Sequence, residues 1–110
     1  MNNYLKNEIV LIKYPFSDLT SQKVRPAIVI NSPYPSNDLI IVPLTSKIDN
    51  LLPGEFILSK WKESGLNIQS AVKRGIFTIE EKLVIQKVGK LKGNDVILLE
   101  KSIKSWLGFD

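Results

Sequence analysis

Residues 8–30 read EIVLIKYPFSDLTSQKVRPAIVI, two apolar runs on either side of a polar loop. The first run, 8–14 (EIVLIKY), is short, rich in β-branched residues and ended by Pro15, the signature of a buried strand. Residues 16–23 (FSDLTSQK) form the loop, and 26–30 (PAIVI) a second strand closed by Asn31-Ser32-Pro33-Tyr34-Pro35. Outward from there the pattern repeats. Residues 38–44 (DLIIVPL) read as a third strand, with Pro43 implying a strand end or a sheet edge. Residues 55–58 (EFIL) follow a turn at Pro53-Gly54, 69–72 and 75–79 are shorter strands, and 83–91 (LVIQKVGKL) is strand over most of its length.

The last segment has a different period. Val96, Leu99, Ile103 and Trp106 recur at helical spacing, with Glu100, Lys101 and Lys104 between them. Asn94 as N-cap, Asp95 in the first turn and Gly108 past the end predict an amphipathic helix over 94–107, its stripe packed on the chain's own sheet. Short strands, frequent turns and one terminal helix predict a mainly β fold, a small SH3-like antiparallel barrel, as a single domain over 1–110.

Composition narrows the chemistry. The 110 residues are 44% hydrophobic and 24% charged, which is globular. There is no cysteine, so disulfides, thiolate metal sites and cysteine nucleophiles are excluded. There is no histidine either, which removes the usual proton shuttle and the commonest metal ligand. No metal and no cofactor are expected. A net charge of +4 and a pI near 9.4 favour an anionic partner. No signal peptide opens the chain and no apolar run approaches the roughly 20 residues that span a bilayer, so a cytoplasmic location without membrane contact is expected.

Of 15 basic residues only two are arginines, at 25 and 74. Arginine is favoured where a planar fork must grip a phosphate. Arg25 stands between the polar loop and the second strand, and Pro26 biases it towards extended geometry. Thr45-Ser46-Lys47 follows the third strand with two hydroxyls and a cation. If the second and third strands are neighbours, both groups lie at one rim. RNA is cut without metal when its 2′-OH attacks the adjacent phosphorus. A protein assists by fixing that geometry, neutralising charge on the phosphate oxygens and moving protons. The plainer alternatives are a solvated charge and turn chemistry. Trp61, beside Lys60 and Lys62, is open between base stacking and core, whereas Trp106 lies on the helix stripe and reads as core. Tyr14 and Phe16, flanking Pro15, could stack a base or pack on the sheet.

The chain resembles the MazF/PemK-like toxins over almost its whole length. The matching segments are 8–30, DLIIVPLTSK (38–47), LPG (52–54), Ser70, IFTIEEKL (76–83) and VGKL (88–91). The resemblance implies an SH3-like barrel, a homodimer and ribosome-independent cleavage of single-stranded RNA. It also implies neutralisation by a cognate antitoxin protein, through which a complex with operator DNA is expected. It implies Arg25 and Thr45 as catalytic residues, and Ser17, Lys23, Ser46, Lys47, Ser70 and Lys73 as substrate contacts, with the 17–23 loop over the groove. One departure stands out: where many members carry a basic residue followed by an acid, this chain reads SAVKRG (70–75), with Lys73 for the base and nothing for the acid. Asp18 is a candidate substitute, against the plainer reading as an Asx-turn. The rival readings are a gyrase-poisoning toxin of the CcdB type and a non-catalytic SH3-like binding module. Neither has need of Arg25 and Thr45 side by side.

Overall fold

The computed structural model describes residues 3–14, 23–31 and 37–109. Among these the chain forms β1 (Glu8–Tyr14), β2 (Lys23–Val29), β3 (Asp38–Thr45), β4 (Phe56–Ile57), β5 (Ala71–Val72), β6 (Phe77–Glu80), a 3-10 turn (Glu81–Leu83), β7 (Val84–Lys90) and α1 (Asn94–Leu107). The strands join antiparallel in the order β4-β5-β3-β2-β1-β7, and β6 also pairs with β3.

The unbroken apolar runs make sense once both faces of this sheet are covered. Strand side chains alternate between faces. Ile9, Ile28, Val42 and Leu44 point to one side, where they pack with Leu58, Val72, Leu91 and Leu99 of α1. Val10, Ile12, Ala27, Val29, Leu39 and Ile41 point to the other and meet Ile79. A strand buried on both faces has no polar row to alternate with, so VLI and AIVI read as continuous.

β3 organises the sheet. β2 takes one edge at Ile41–Pro43, while the other edge serves β6 along Asp38–Ile41 and then β5 along Leu44–Thr45. Pro43 is therefore inside a strand, not at its end as its sequence implied. The Pro43 carbonyl accepts the Lys73 N–H at 2.9 Å, so its nitrogen also faces the β6/β5 edge. That nitrogen falls in the gap where β6 has stopped and β5 has not begun, so the missing donor costs no ladder bond.

The expected closed barrel is an open sheet. The Glu81 N–H bonds to the Asn37 carbonyl at 2.7 Å as the chain leaves β6, and the 3-10 turn carries it to β7 before any β6–β7 ladder forms among the described residues. Leu83 and Val84 pack beside the second cluster at that opening.

α1 spans the predicted residues, with Val96, Ile103 and Trp106 against the first cluster. Its N-cap is Gly93 rather than Asn94, which is the first helical residue. The first-turn acid, Asp95, reaches across the chain: it is fully buried and accepts the Ser59 N–H at 3.1 Å, the Ser59 hydroxyl at 3.0 Å and the Lys60 N–H at 3.0 Å. Gly108 ends the helix in the left-handed region at φ 78°. Trp61, left open by sequence, packs against the first cluster with the Lys62 ammonium 5.4 Å from its ring centre. Among the described residues no helix is long and apolar enough to cross a membrane.

Candidate active site

Arg25 lies inside β2, opposite Ile12 of β1, and not at a loop junction. The cause is pairing rather than composition: the β1–β2 ladder runs on to Tyr14 and Lys23, taking the polar Lys23-Val24-Arg25 into the strand. On its other edge β2 meets β3 through Val29–Ile41, Ile28–Val42 and Ala27–Pro43. Continuing that register by two residues sets Arg25 across from Thr45. Alternation puts both on one face, in the row of Ala27 and Pro43. Thr45 is therefore the hydroxyl that the register brings to the same side of the sheet as this arginine.

A cavity of about 170 Å³ opens here, lined by Arg25, Pro43, Leu44, Thr45, Lys47 and Lys73. Lys73 arrives from the far side of β3, where β5 ends and its N–H holds the Pro43 carbonyl. Among the described residues no carboxylate forms an ion pair with Arg25, Lys47 or Lys73. Three cations thus line one hollow, with no acid in its lining among the described residues, a positive focus suited to an anion. The Arg25 Nη1 donates to its neighbour's carbonyl, Val24, at a long 3.3 Å, a bond that occupies one of the fork's five donors. Thr45 Oγ1 accepts the Lys47 N–H at 3.0 Å. That bond uses the hydroxyl as acceptor and leaves its proton to be donated into the cavity.

The other sequence-derived site residues separate into three groups. Lys23 and Ser46 are exposed near the cavity without lining it. Ser70 is buried, and its hydroxyl donates to the Ile68 carbonyl at 2.9 Å while its own carbonyl accepts the Leu58 N–H. That hydroxyl is thus engaged within the fold. Ser17, Phe16, Asp18 and the side chain of Tyr14 fall outside the described residues. Sequence reading missed Glu55, whose carboxylate accepts the Arg74 N–H at 2.7 Å. A separation of 19 residues carries no local signal for that bond.

The family model described as PemK-like, MazF-like toxin of type II toxin-antitoxin system matches residues 6–107. Among solved structures, an endoribonuclease in complex with its cognate antitoxin from a Mycobacterial species superposes with a TM-score of 0.80 at 13% identity, covering 97% of each chain. A second Mycobacterial endoribonuclease gives 0.76 at 16% identity, over 98% of this chain and 94% of that one. The Mycobacterium tuberculosis toxin MazF-mt6 gives 0.76 at 19%, over 94% and 98%. At these identities the likeness is one of fold. No curated protein matches the chain by sequence.

Proposed function

The chain belongs to the PemK-like, MazF-like toxins of type II toxin–antitoxin systems, and we propose that it is a metal-independent endoribonuclease that cuts single-stranded RNA. The observation that carries the reading is the cavity lined by Arg25, Thr45, Lys47 and Lys73, with no carboxylate among the described residues paired to these cations. A phosphodiester supplies the missing negative charge.

In this reaction the 2′-OH gives up its proton and its oxygen bonds to phosphorus in line with the departing O5′. The P–O5′ bond breaks, O5′ takes a proton, and the products are a 2′,3′-cyclic phosphate and a 5′-OH end. Charge grows on the non-bridging oxygens as the new bond forms. The Arg25 fork grips two of them at once, and the Thr45 proton is donated to one. Lys47 and Lys73 hold the backbone on either side as point charges. The chain has neither histidine nor cysteine, so the reaction is assigned to these groups without a metal. By the same membership the protein acts as a C2 homodimer in the cytoplasm, with the RNA channel built across the dimer interface, and is neutralised by its cognate antitoxin.

Incubation with mixed-sequence RNA in EDTA, followed by end-group analysis, tests the proposal. Cleavage leaving 5′-OH ends is expected. Loss of cleavage in EDTA that magnesium restores would overturn the mechanism, and intact RNA under all conditions would return the fold to a binding role.

A further inference from the structure

The wall of the cavity that carries Lys73 is held by the sheet on one side and by a carboxylate on the other. After β5 the chain leaves the sheet. The Lys73 N–H makes the last sheet-like bond, to the Pro43 carbonyl, and two residues later Gly75 turns at φ 155°. A Cβ at Gly75 would lie 2.7 Å from the Phe77 ring, so this turn has little freedom to reshape around a side chain. Between the two stands Arg74, whose N–H donates to Glu55 Oε2 at 2.7 Å. The other oxygen, Oε1, accepts the Leu52 N–H at 2.7 Å, and the Glu55 N–H returns to the Leu52 carbonyl at 2.9 Å. That small turn is clamped to α1, because Ser102 Oγ donates to the Gly54 carbonyl at 2.7 Å and Trp106 Nε1 to the Pro53 carbonyl at 3.1 Å.

We infer that Glu55 is a positioning residue for RNA: by holding the Arg74 N–H it fixes the 73–75 segment so that Lys73 borders the Arg25–Thr45 cavity. Ionised acceptors make shorter and stronger bonds to backbone N–H groups than neutral ones, so one carboxylate can fix a segment that the sheet has released. Glu55 does not line the cavity and touches no reacting atom. It acts through Lys73. The inference rests on the RNA-cleaving reading above.

The test is a double-mutant cycle on Glu55→Ala and Lys73→Ala. Affinity for a short, non-cleavable 2′-deoxy RNA analogue is measured beside the single-turnover rate at saturating RNA. Loss of one charge-assisted contact weakens binding by about tenfold. Each single variant is expected near that value. Because both remove the same contact, the double variant is expected near it too, with the saturated rate little changed. Hydrogen exchange at the Arg74 amide, followed by NMR without RNA, should speed up in Glu55→Ala. Wild-type affinity in Glu55→Ala, or losses that multiply in the double variant, would overturn the proposal. Should Glu55→Ala not fold, Glu55→Gln carries the same cycle, since its amide keeps one acceptor and turns a donor towards the second N–H. Wild-type protein that neither binds nor cuts RNA would sink the enzymatic reading, and Lys73's role with it. The exchange rate of Arg74 would still report separately whether the Glu55 bond holds the segment.

Discussion

Two regions of this molecule treat charge in opposite ways. Asp95 is fully buried yet takes three hydrogen bonds from Ser59 and Lys60. Glu8, nearly as buried, accepts the Leu5 N–H at 2.7 Å and pairs with Lys87 at 3.0 Å. Around the cavity, Arg25, Lys47 and Lys73 stand with Thr45, and among the described residues no carboxylate is paired to any of them. A matched buried charge ties segments together, because removing its partner leaves an expensive orphan. Like charges left unmatched at a surface hollow contribute nothing to folding and repel one another. Their arrangement is accounted for by a ligand that brings the opposite sign. Substitutions in the first region should therefore change stability and spare the chemistry, and those in the second should do the reverse.

The sharpest break is expected at Arg25. If it neutralises charge on the scissile phosphate, Arg25→Ala lowers single-turnover cleavage by about 10² to 10³, the cost of one preorganised donor to a developing oxyanion. Binding to a 2′-deoxy analogue should fall far less, and the urea midpoint should stay put. Arg25→Lys should remain impaired, because an ammonium cannot reproduce the two-point grip. A cleavage rate within a few-fold of wild type in both variants would remove Arg25 from the chemistry.

Asp95 supplies the opposite pole. Asp95→Ala strands the Ser59 and Lys60 N–H groups at the joint between α1 and the 59–60 segment. Ser59 and Lys60 are exposed residues and these bonds are only part-buried, so water can replace the lost acceptor and a stability loss of about 1–2 kcal/mol is expected by urea denaturation. The cleavage rate per folded molecule should be unchanged. A slow but fully stable Asp95→Ala protein would dissolve the distinction between the two regions.

A smaller effect is expected at Thr45. Thr45→Ala removes the proton donated into the cavity and the acceptor of the Lys47 N–H, so both rate and RNA affinity should drop. A loss of about tenfold, one neutral hydrogen bond in the transition state, is the expected scale in single-turnover cleavage. Ser46 softens the loss if its hydroxyl can turn inward. An unchanged rate would leave Arg25 acting without this hydroxyl.

What the sequence disclosed follows the same division. The strands were legible wherever burial on both faces left continuous apolar runs, as at 9–12 and 27–30, and α1 was legible from its stripe. β2 was mis-bounded because Lys23-Val24-Arg25 enter the sheet by pairing with β1, which composition cannot reveal. Pro43 misled because its missing donor matters only relative to where β6 ends and β5 begins. Barrel closure depends on one turn between β6 and β7, and no residue type marks it. At the site, the meeting of Arg25 with Thr45 follows from register, so a guess that β2 and β3 are neighbours was enough to suggest it. Ser70 and Glu55 escaped because their roles lie in who accepts or donates a single backbone bond.

The finest test of the comparison uses pH at Glu8. Burial alone would push its carboxyl pKa up. The Leu5 N–H, the hydrogen bond and charge of Lys87, and the charge of Lys90 outweigh that, and hold it below the usual glutamate value. A carboxyl whose pKa is lower in the folded than in the unfolded chain stabilises the fold above the unfolded value, about 4.3. That contribution disappears as pH falls through the folded value. Lys87 is about half exposed, at 54%, so solvent screens the pair and the contribution should be about 1 kcal/mol or less. Urea midpoints for wild type and Glu8→Gln, taken at neutral pH and again in acid below the folded value, should differ in the first case and converge in the second. The cavity cations make no such demand, since among the described residues the lining holds no carboxylate, so Lys47→Ala should leave the acid limb of stability where it was. A Glu8→Gln protein as stable as wild type at neutral pH, or a gap that widens in acid, would show that the pair is ornamental and that matched charge in this fold does not stabilise it.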